Sequence, residues 1–297
     1  MAAVAVSSGP VRRSKTISMI AMYALLLVLA CFFLFPIVFM VVSSLKADEG
    51  QILRDMSSLA AFIPYGNISL QNYQDVFSRL PFLTYVINSL IVTLSIVVLG
   101  LFVNSLIAYA LARIAFRGRA VLLAVIVGLI VIPFESVAVP LLLMVNRMPW
   151  IDGSASWLDS YHVQIIPFIA DAFSIYLFYQ FFIGLPKDLE EAAFVDGAGR
   201  FRIYAQVMVP LSRPVFATVA ILQFLAYWGA FLWPLMTTRG DDFRPLTVAM
   251  QTFFGQAPRQ WGDIMAFASM VTLPVLAVFL VFQQWFVRSV SSFGVKG

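Results

Sequence analysis

Cysteine and histidine are almost missing from this chain: 297 residues contain one of each. Cys31 has no partner for an intrachain disulfide. His162 has no cysteine or second histidine with which to cage a metal, so neither a disulfide framework nor a metal centre is expected. The order Gly, four residues, Gly-Lys-Ser/Thr does not occur, so the backbone cradle of a phosphate-binding loop is lacking. Any nucleotide hydrolysis then belongs to another polypeptide. Ser, His and Asp are not arranged at a recognisable catalytic spacing either, so no catalytic residue is expected and the chain does not read as an enzyme. Charged residues make up only 11% of the chain. The net charge is +4, but the basic residues are scattered between apolar runs and form no continuous stripe for nucleic acid.

What the chain has instead is apolar surface, at 61% hydrophobic residues including 28 Phe. A soluble core of this size cannot hide that much, so the fold class expected is all-α, a polytopic membrane protein. Runs of about 20 residues, each enough to cross ~30 Å of hydrocarbon as a helix, recur near 17–44, 85–112, 120–145, 161–185, 214–237 and 263–287. Residues Val28-Leu29-Ala30-Cys31 faintly resemble a lipoprotein cleavage box, but the apolar run continues to Val42 and reads as a retained anchor helix, with the Cys31 thiol expected in buried packing.

The flanks give a direction. Arg12, Arg13 and Lys15, then Arg113, Arg117 and Arg119, then Lys187, Arg200, Arg202 and Arg213, then Arg288 and Lys296 all fall on one side. The alternate loops carry Asp48, Glu49, Asp55, Asp152, Asp241 and Asp242. By the positive-inside rule both termini face the cytoplasm. The division expected is a cytoplasmic tail over 1–16, a transmembrane domain over 17–288 and a cytoplasmic tail over 289–297. Lys46 to Thr84 forms the largest outer loop, and Trp150, Trp157 and Tyr161 are expected at headgroup level.

The polar island at 186–213 predicts a short docking helix. Pro186 suits a first turn, while Asp188, Glu190 and Glu191 put negative charge at the positive helix end. Leu189, Ala192 and Ala193 share a small apolar face; Gly197 and Gly199 permit a left-handed stop, and Pro210 with Pro214 breaks the helix that follows.

This island resembles the cytoplasmic loop of the permease subunits of ABC importers, with the pattern Glu191-Ala192-Ala193, Asp196-Gly197-Ala198 and Val209-Pro210. The resemblance implies a coupling helix seated in a cleft of an ATPase subunit, with Glu190, Glu191, Ala192, Ala193, Asp196, Gly197, Ala198 and Pro210 as the coupling residues. Asn72-Tyr73, Asn88-Ser89, Tyr109-Ala110-Leu111-Ala112-Arg113 and Trp233-Pro234-Leu235 look like the maltose-type, carbohydrate-uptake branch, as does the tail Gly294-Val295-Lys296-Gly297, which in that branch reaches into the ATPase dimer. Implied with it are a second related permease, two cytoplasmic ATPase subunits, an extracytoplasmic solute-binding protein, membrane lipid and a carbohydrate substrate, in a bacterial inner membrane; a neutral oligosaccharide, a uronate oligomer, a polyol or glycerol phosphate would each suit that branch as cargo. No cofactor is expected in this chain; ATP and Mg belong to the ATPase. Two features depart from the pattern. Trp228-Gly229-Ala230 stands where relatives carry Trp-Asn-Asp or Trp-Asn-Glu, and Glu135 stands where they often carry Gln.

An acid at the bilayer centre costs at least ~2.5–3.5 kcal/mol, so Glu135 and Asp171 should each face a partner or a wet cavity. Glu135 is read either as lining the translocation path or as a structural acid paired to another helix. Asn88, Gln223, Tyr227 and Trp228 complete the candidate substrate path, with helix-to-helix hydrogen bonding the competing role for the amides, Asn104 included. The rival function is a secondary transporter driven by an ion gradient through Glu135 and Asp171.

Overall fold

The computed structural model describes the backbone of residues 11–151, 153–255 and 257–294, and the side chains of 18–151, 153–255 and 257–282. In chain order the helices are α1 (Val11–Ser44), α2 (Glu49–Asp55), α3 (Gln71–Arg79), α4 (Phe82–Arg113), α5 (Arg119–Ile130), α6 (Phe134–Val145), α7 (Tyr161–Ile165), α8 (Ala172–Ile183), α9 (Asp188–Val195), α10 (Arg200–Ile203), α11 (Val209–Leu211), α12 (Arg213–Trp228), α13 (Leu232–Thr237), α14 (Leu246–Ala249), α15 (Gln251–Phe254) and α16 (Trp261–Gly294). Among the described residues strand pairing amounts to one antiparallel bridge, Lys46 with Ile68. The all-α expectation holds.

Among the described residues, four helical stretches are long and apolar enough to cross a membrane: Ser18–Ser44, Phe82–Arg113, Tyr161–Ile183 and Trp261–Phe282. Of the other two expected spans, 120–145 is a bent pair, and 214–237 is covered only in part by a second bent pair that begins in the expected coupling loop. The run at 120–145 folds by 104° between α5 and α6, where Pro133 lacks the amide hydrogen that would continue the ladder. The segment Arg200–Leu211 meets α12 at 79°. The span expected at 214–237 stops at Trp228, because α12 ends at Gly229 and the chain restarts as α13. At the ends, α1 begins inside the expected 1–16 tail and α16 runs into the expected 289–297 tail.

The chain divides into two compact units, 1–76 with 256–269, and 77–255 with 270–297. In the first, the segment that follows α1 is a knot of small helices around the buried Lys46. Lys46 is 1% exposed; its Nζ donates to Asp55 Oδ2 at 2.7 Å and to the Ala60 carbonyl at 2.8 Å. Tyr65 donates to the other Asp55 oxygen at 2.5 Å. Hydrogen bonding from Lys46, helped by Tyr65, holds the Asp55 carboxyl below the usual carboxylate range. Asn72 donates to the carbonyls of Ser44 and Lys46, both at 2.9 Å, and so closes the end of α1. The body of α1 has little cover within this chain: Phe32 is 71% exposed and Phe33 67%. Cys31 is exposed with them, against the expectation of buried packing, because its helix has no neighbour at that level.

In the second unit α4 is the central rod, packed closely by α8 and α12. Close approach is needed where a Cβ on Gly100 would lie 2.8 Å from Gln223 Oε1. Asn104, fully buried, donates to the Ile169 carbonyl and accepts from the Asp171 amide at 2.9 Å, fixing the break that precedes α8. Trp157 packs into a small core with Val145, Val163 and Trp233, and Trp150 stacks on His162 at 4.2 Å. Tyr161 donates to Asn88 at 2.6 Å. These aromatic groups therefore bind one another and neighbouring helices.

Candidate functional site

Two places in the second unit collect the candidate residues: the loop carrying α9, and a cavity beside the other end of α4. The loop begins with a helix that ends as its sequence dictates. The Asp196 amide donates to Ala192, the Gly197 amide to Phe194 and the Ala198 amide to Ala193, the paired bonds of a Schellman stop. Gly197 takes φ +76°, a conformation that costs a residue with a Cβ about 1–2 kcal/mol. Gly199 is extended and starts α10, so only the first of the two glycines makes the left-handed turn.

Side chains around the short helix divide sharply. Ala193 and Ala198 pack against a core built from α4, α8 and the Ile203–Met208 stretch. Glu191, Ala192 and Asp196 stay exposed, as do the apolar Leu189 at 43% and Val195 at 88%. The expected small face is thus split, with Ala193 inward and Leu189 and Ala192 outward. Glu190, expected at the coupling surface, turns inward and is 6% exposed. Its Oε1 lies 2.9 Å from Arg113 Nε, near enough for an ion pair but out of line for a hydrogen bond. Burial pushes the Glu190 carboxyl above its ordinary range, against the opposing pull of Arg113. The same arginine donates through Nη2 to the carbonyls of Phe182 and, at 2.7 Å, Leu185, satisfying the open end of α8.

Arg113 is one of a series. Ser105 Oγ lies 2.7 Å from Tyr204 OH, and Tyr109 donates to the Arg200 carbonyl at 3.4 Å. Residues 105, 109 and 113 stand at four-residue steps, one stripe of α4, and all three bind the loop at 186–213. Sequence reasoning took Arg113 as an orienting charge and passed over Ser105. The signal available was that polar spacing on an otherwise apolar helix. Tyr204 opens a π-helical turn, Tyr204–Met208, which leads into the exposed Pro210 just before the bend into α12. Of the expected tail residues, Gly294 closes α16; Val295, Lys296 and Gly297 lie outside the described residues.

The cavity has a volume of about 450 Å³. Its wall includes Ser89 and Thr93 of α4, Glu135 of α6, Gln164 of α7, Asp171, and Tyr227 of α12 among apolar residues such as Trp233. Glu135 sits in the first turn of α6, and Asp171 caps α8 by accepting from the Ser174 amide at 2.7 Å. Both carboxyl groups therefore stand at helix N-termini. Neither acid forms an ion pair among the described residues, so Glu135 faces open space and not a neighbouring helix.

Three expected path residues are placed elsewhere. Asn88, 1% exposed, donates to the Asp242 and Arg244 carbonyls at 2.9 and 3.0 Å and accepts from Tyr161, which uses up its amide as structural glue. Gln223 donates to Ser174 Oγ at 3.2 Å between α12 and α8. Trp228 donates to the Val271 carbonyl at 3.1 Å and stacks on Phe224. The Gly229-Ala230 departure leaves that stretch without a polar side chain. Gln164, which sequence reasoning did not single out, supplies an amide on the wall instead.

Comparison with known proteins agrees with this architecture. The family described as "Binding-protein-dependent transport system inner membrane component" matches residues 96–292. The arabinooligosaccharides transport system permease protein AraQ of Bacillus subtilis (strain 168) is 31% identical over 279 residues, covering 94% of this chain and 96% of that protein. The trehalose/maltose transport system permease protein MalG of Thermococcus litoralis is 30% identical over 281 residues, covering 92% and 95%. Among solved structures, a chain of a bacterial ABC transporter involved in the import of the acidic polysaccharide alginate superposes with a TM-score of 0.78 at 23% identity, over 95% of this chain and all of that one. That likeness shows the fold. Together with the bent spans and the loop around α9, the sequence matches establish that this chain belongs to the inner membrane components of binding-protein-dependent transport systems.

Proposed function

We propose that this chain is one of two related permeases in an ATP-driven importer of carbohydrate, with α9 docked on one of two cytoplasmic ATPase subunits. The observation that carries the reading is the division around α9. Glu190, Ala193 and Ala198 are built into the core, while Glu191, Ala192 and Val195 are exposed. A short helix with exposed apolar residues, held rigidly at its back, suits docking into a partner's cleft. ATP and Mg act on the partner. Closure of the ATPase pair pushes α9, and α4 carries the displacement to the cavity, opening it in turn to each side. Both termini and the docking loop lie in the cytoplasm in this arrangement. The carbohydrate class is supported by the similarity to AraQ and MalG, proteins named for arabinooligosaccharides and trehalose/maltose.

The test is uptake in cells carrying the whole transporter. Labelled oligosaccharide accumulation should stop on ATP depletion and survive collapse of the proton gradient; the reverse pattern would instead favour an ion-driven carrier using Glu135 and Asp171. Cross-linking from Ala192→Cys should capture a nucleotide-hydrolysing subunit. Capture of lipid alone would remove the docking assignment.

A further inference from the structure

Gln164 is 2% exposed and lies on the wall of the cavity, yet only half of its amide is used. Nε2 donates to the Phe243 carbonyl at 2.9 Å and, at 3.4 Å, to the Ser160 carbonyl. Two carbonyl acceptors fix which end is nitrogen, so the remaining atom, Oε1, is an acceptor without a partner. A buried polar atom left open in a folded protein calls for a partner that arrives later. Glu135 and Asp171 add carboxylate acceptors to the same wall, and among the described lining residues no Lys, Arg or His opposes them.

We infer that this cavity is a saccharide subsite selective for sugars without acidic groups, with Gln164 Oε1, Glu135 and Asp171 accepting hydrogen bonds from hydroxyl or ammonium groups of the cargo. The inference rests on the carbohydrate reading above and narrows it. Neutral and amino sugars bring the donors this wall lacks, and their apolar ring faces suit Trp233 and Tyr227. A uronate or phosphate would bring more acceptors and like charge against two carboxylates, with no cation on the described wall to offset the repulsion. The alginate transporter that shares the fold is named for an acidic polysaccharide, so fold likeness and cargo charge part company at this wall.

The test is retention by the transporter complex in nanodiscs, without binding protein, offered partial hydrolysates of starch, arabinan, chitosan and pectate, with mass spectrometry of what is bound. Neutral or amino oligosaccharides should be retained and oligogalacturonates excluded. Glu135→Gln with Asp171→Asn should raise the oligogalacturonate share at least about tenfold. Gln164→Leu should lower retention of the neutral species. Gln164 also ties Phe243, so the paired acid variant guards against misfolding: Glu135 is exposed, and Asn caps a helix as well as Asp does. Oligogalacturonate retained by the unaltered complex as well as the neutral species, or unchanged by the paired substitution, overturns the selectivity. Nothing retained from any hydrolysate removes the subsite. Both outcomes leave the importer assignment to the uptake test.

Discussion

The two ends of α4 are finished in opposite ways. Around Ser105, Tyr109 and Arg113, side chains reach the docking segment and the end of α8, and the arginine alone serves two carbonyls and a carboxylate. Around Ser89 and Thr93 the rod borders open space, with a buried acceptor left over at Gln164 and two unpaired acids nearby. From Ser89 to Arg113 the helix spans roughly 36 Å at about 1.5 Å per residue. The proposed importer would use this asymmetry: an end that takes up force has to be stiff, or the displacement dissipates in side-chain rearrangement, and an end that meets cargo has to keep unsatisfied groups for it.

The strongest way to break the contrast is to unwire the stiff end. Arg113→Met leaves the buried Glu190 without its ion-pair partner and the α8 carbonyls uncapped. Losing one partner of such a pair costs about 3–5 kcal/mol. Transport should be abolished and thermal unfolding of the purified complex lowered, and adding Glu190→Leu should recover part of the stability. If the double variant is no more stable than Arg113→Met, the ion pair is not what holds α9.

Next in size is the exposed side of the same helix. Glu191→Lys should abolish uptake and ATPase association while leaving thermal unfolding of the permease unchanged, because Glu191 is exposed and touches no core residue. Gly197→Asp should abolish uptake as well, but with a loss of stability, since the turn at φ +76° disfavours any side chain. The pair of outcomes separates docking from wiring.

Removing Ser105 Oγ with Ser105→Ala, or the hydroxyl with Tyr204→Phe, should each cost about 1 kcal/mol in denaturation. The double variant should cost clearly less than the sum, as contacting groups do. Additive losses would mean the two hydroxyls are not joined in the membrane.

The smallest effects are with pH, and they have opposite signs. Asp55 is held below its ordinary range, so its stabilising contribution is full above the unfolded value and is lost as pH falls through the lowered folded value. Glu190 is pushed up by burial, so the folded state takes a proton first; the contribution is present below the unfolded value and is lost as pH rises through the raised one. Asp55→Asn should therefore make the acid-side fall of a melting-temperature profile shallower, and Glu190→Gln should make it steeper. Identical profiles for the two variants would contradict the assigned environments.

Much of this was legible in the residues. Apolar runs located the spans, and Asp196-Gly197-Ala198 announced a helix stop that the backbone makes with those residues in the cap, left-handed and following positions. What stayed hidden depended on which way a side chain turns. Glu190 and Glu191 are adjacent carboxylates on one short helix, and only packing shows that the first faces Arg113 and the second faces out. Polar groups at membrane depth posed the same difficulty. Asn88 and Gln164 are both nearly buried amides, but Asn88 is fully engaged and Gln164 keeps one acceptor free, a distinction set by the distant carbonyls at Asp242, Phe243 and Arg244. The breaks at Pro133 and Gly229 were written in the residues, but the 104° bend could not be read from length and hydropathy, which treat two half-spans as one.

The central claim is that α9 and α4 move as one piece. Spin labels at Ala192→Cys on α9 and Leu99→Cys on α4, both exposed positions, placed in the intact transporter in nanodiscs, measure that directly. The label-to-label distance should hold within about 2 Å between the nucleotide-free and ATP-bound states, less than the shifts of whole elements in such transitions, and should broaden when Arg113→Met is added. A change of a full helical turn, about 5.4 Å, in a complex that still transports would contradict the rigid linkage.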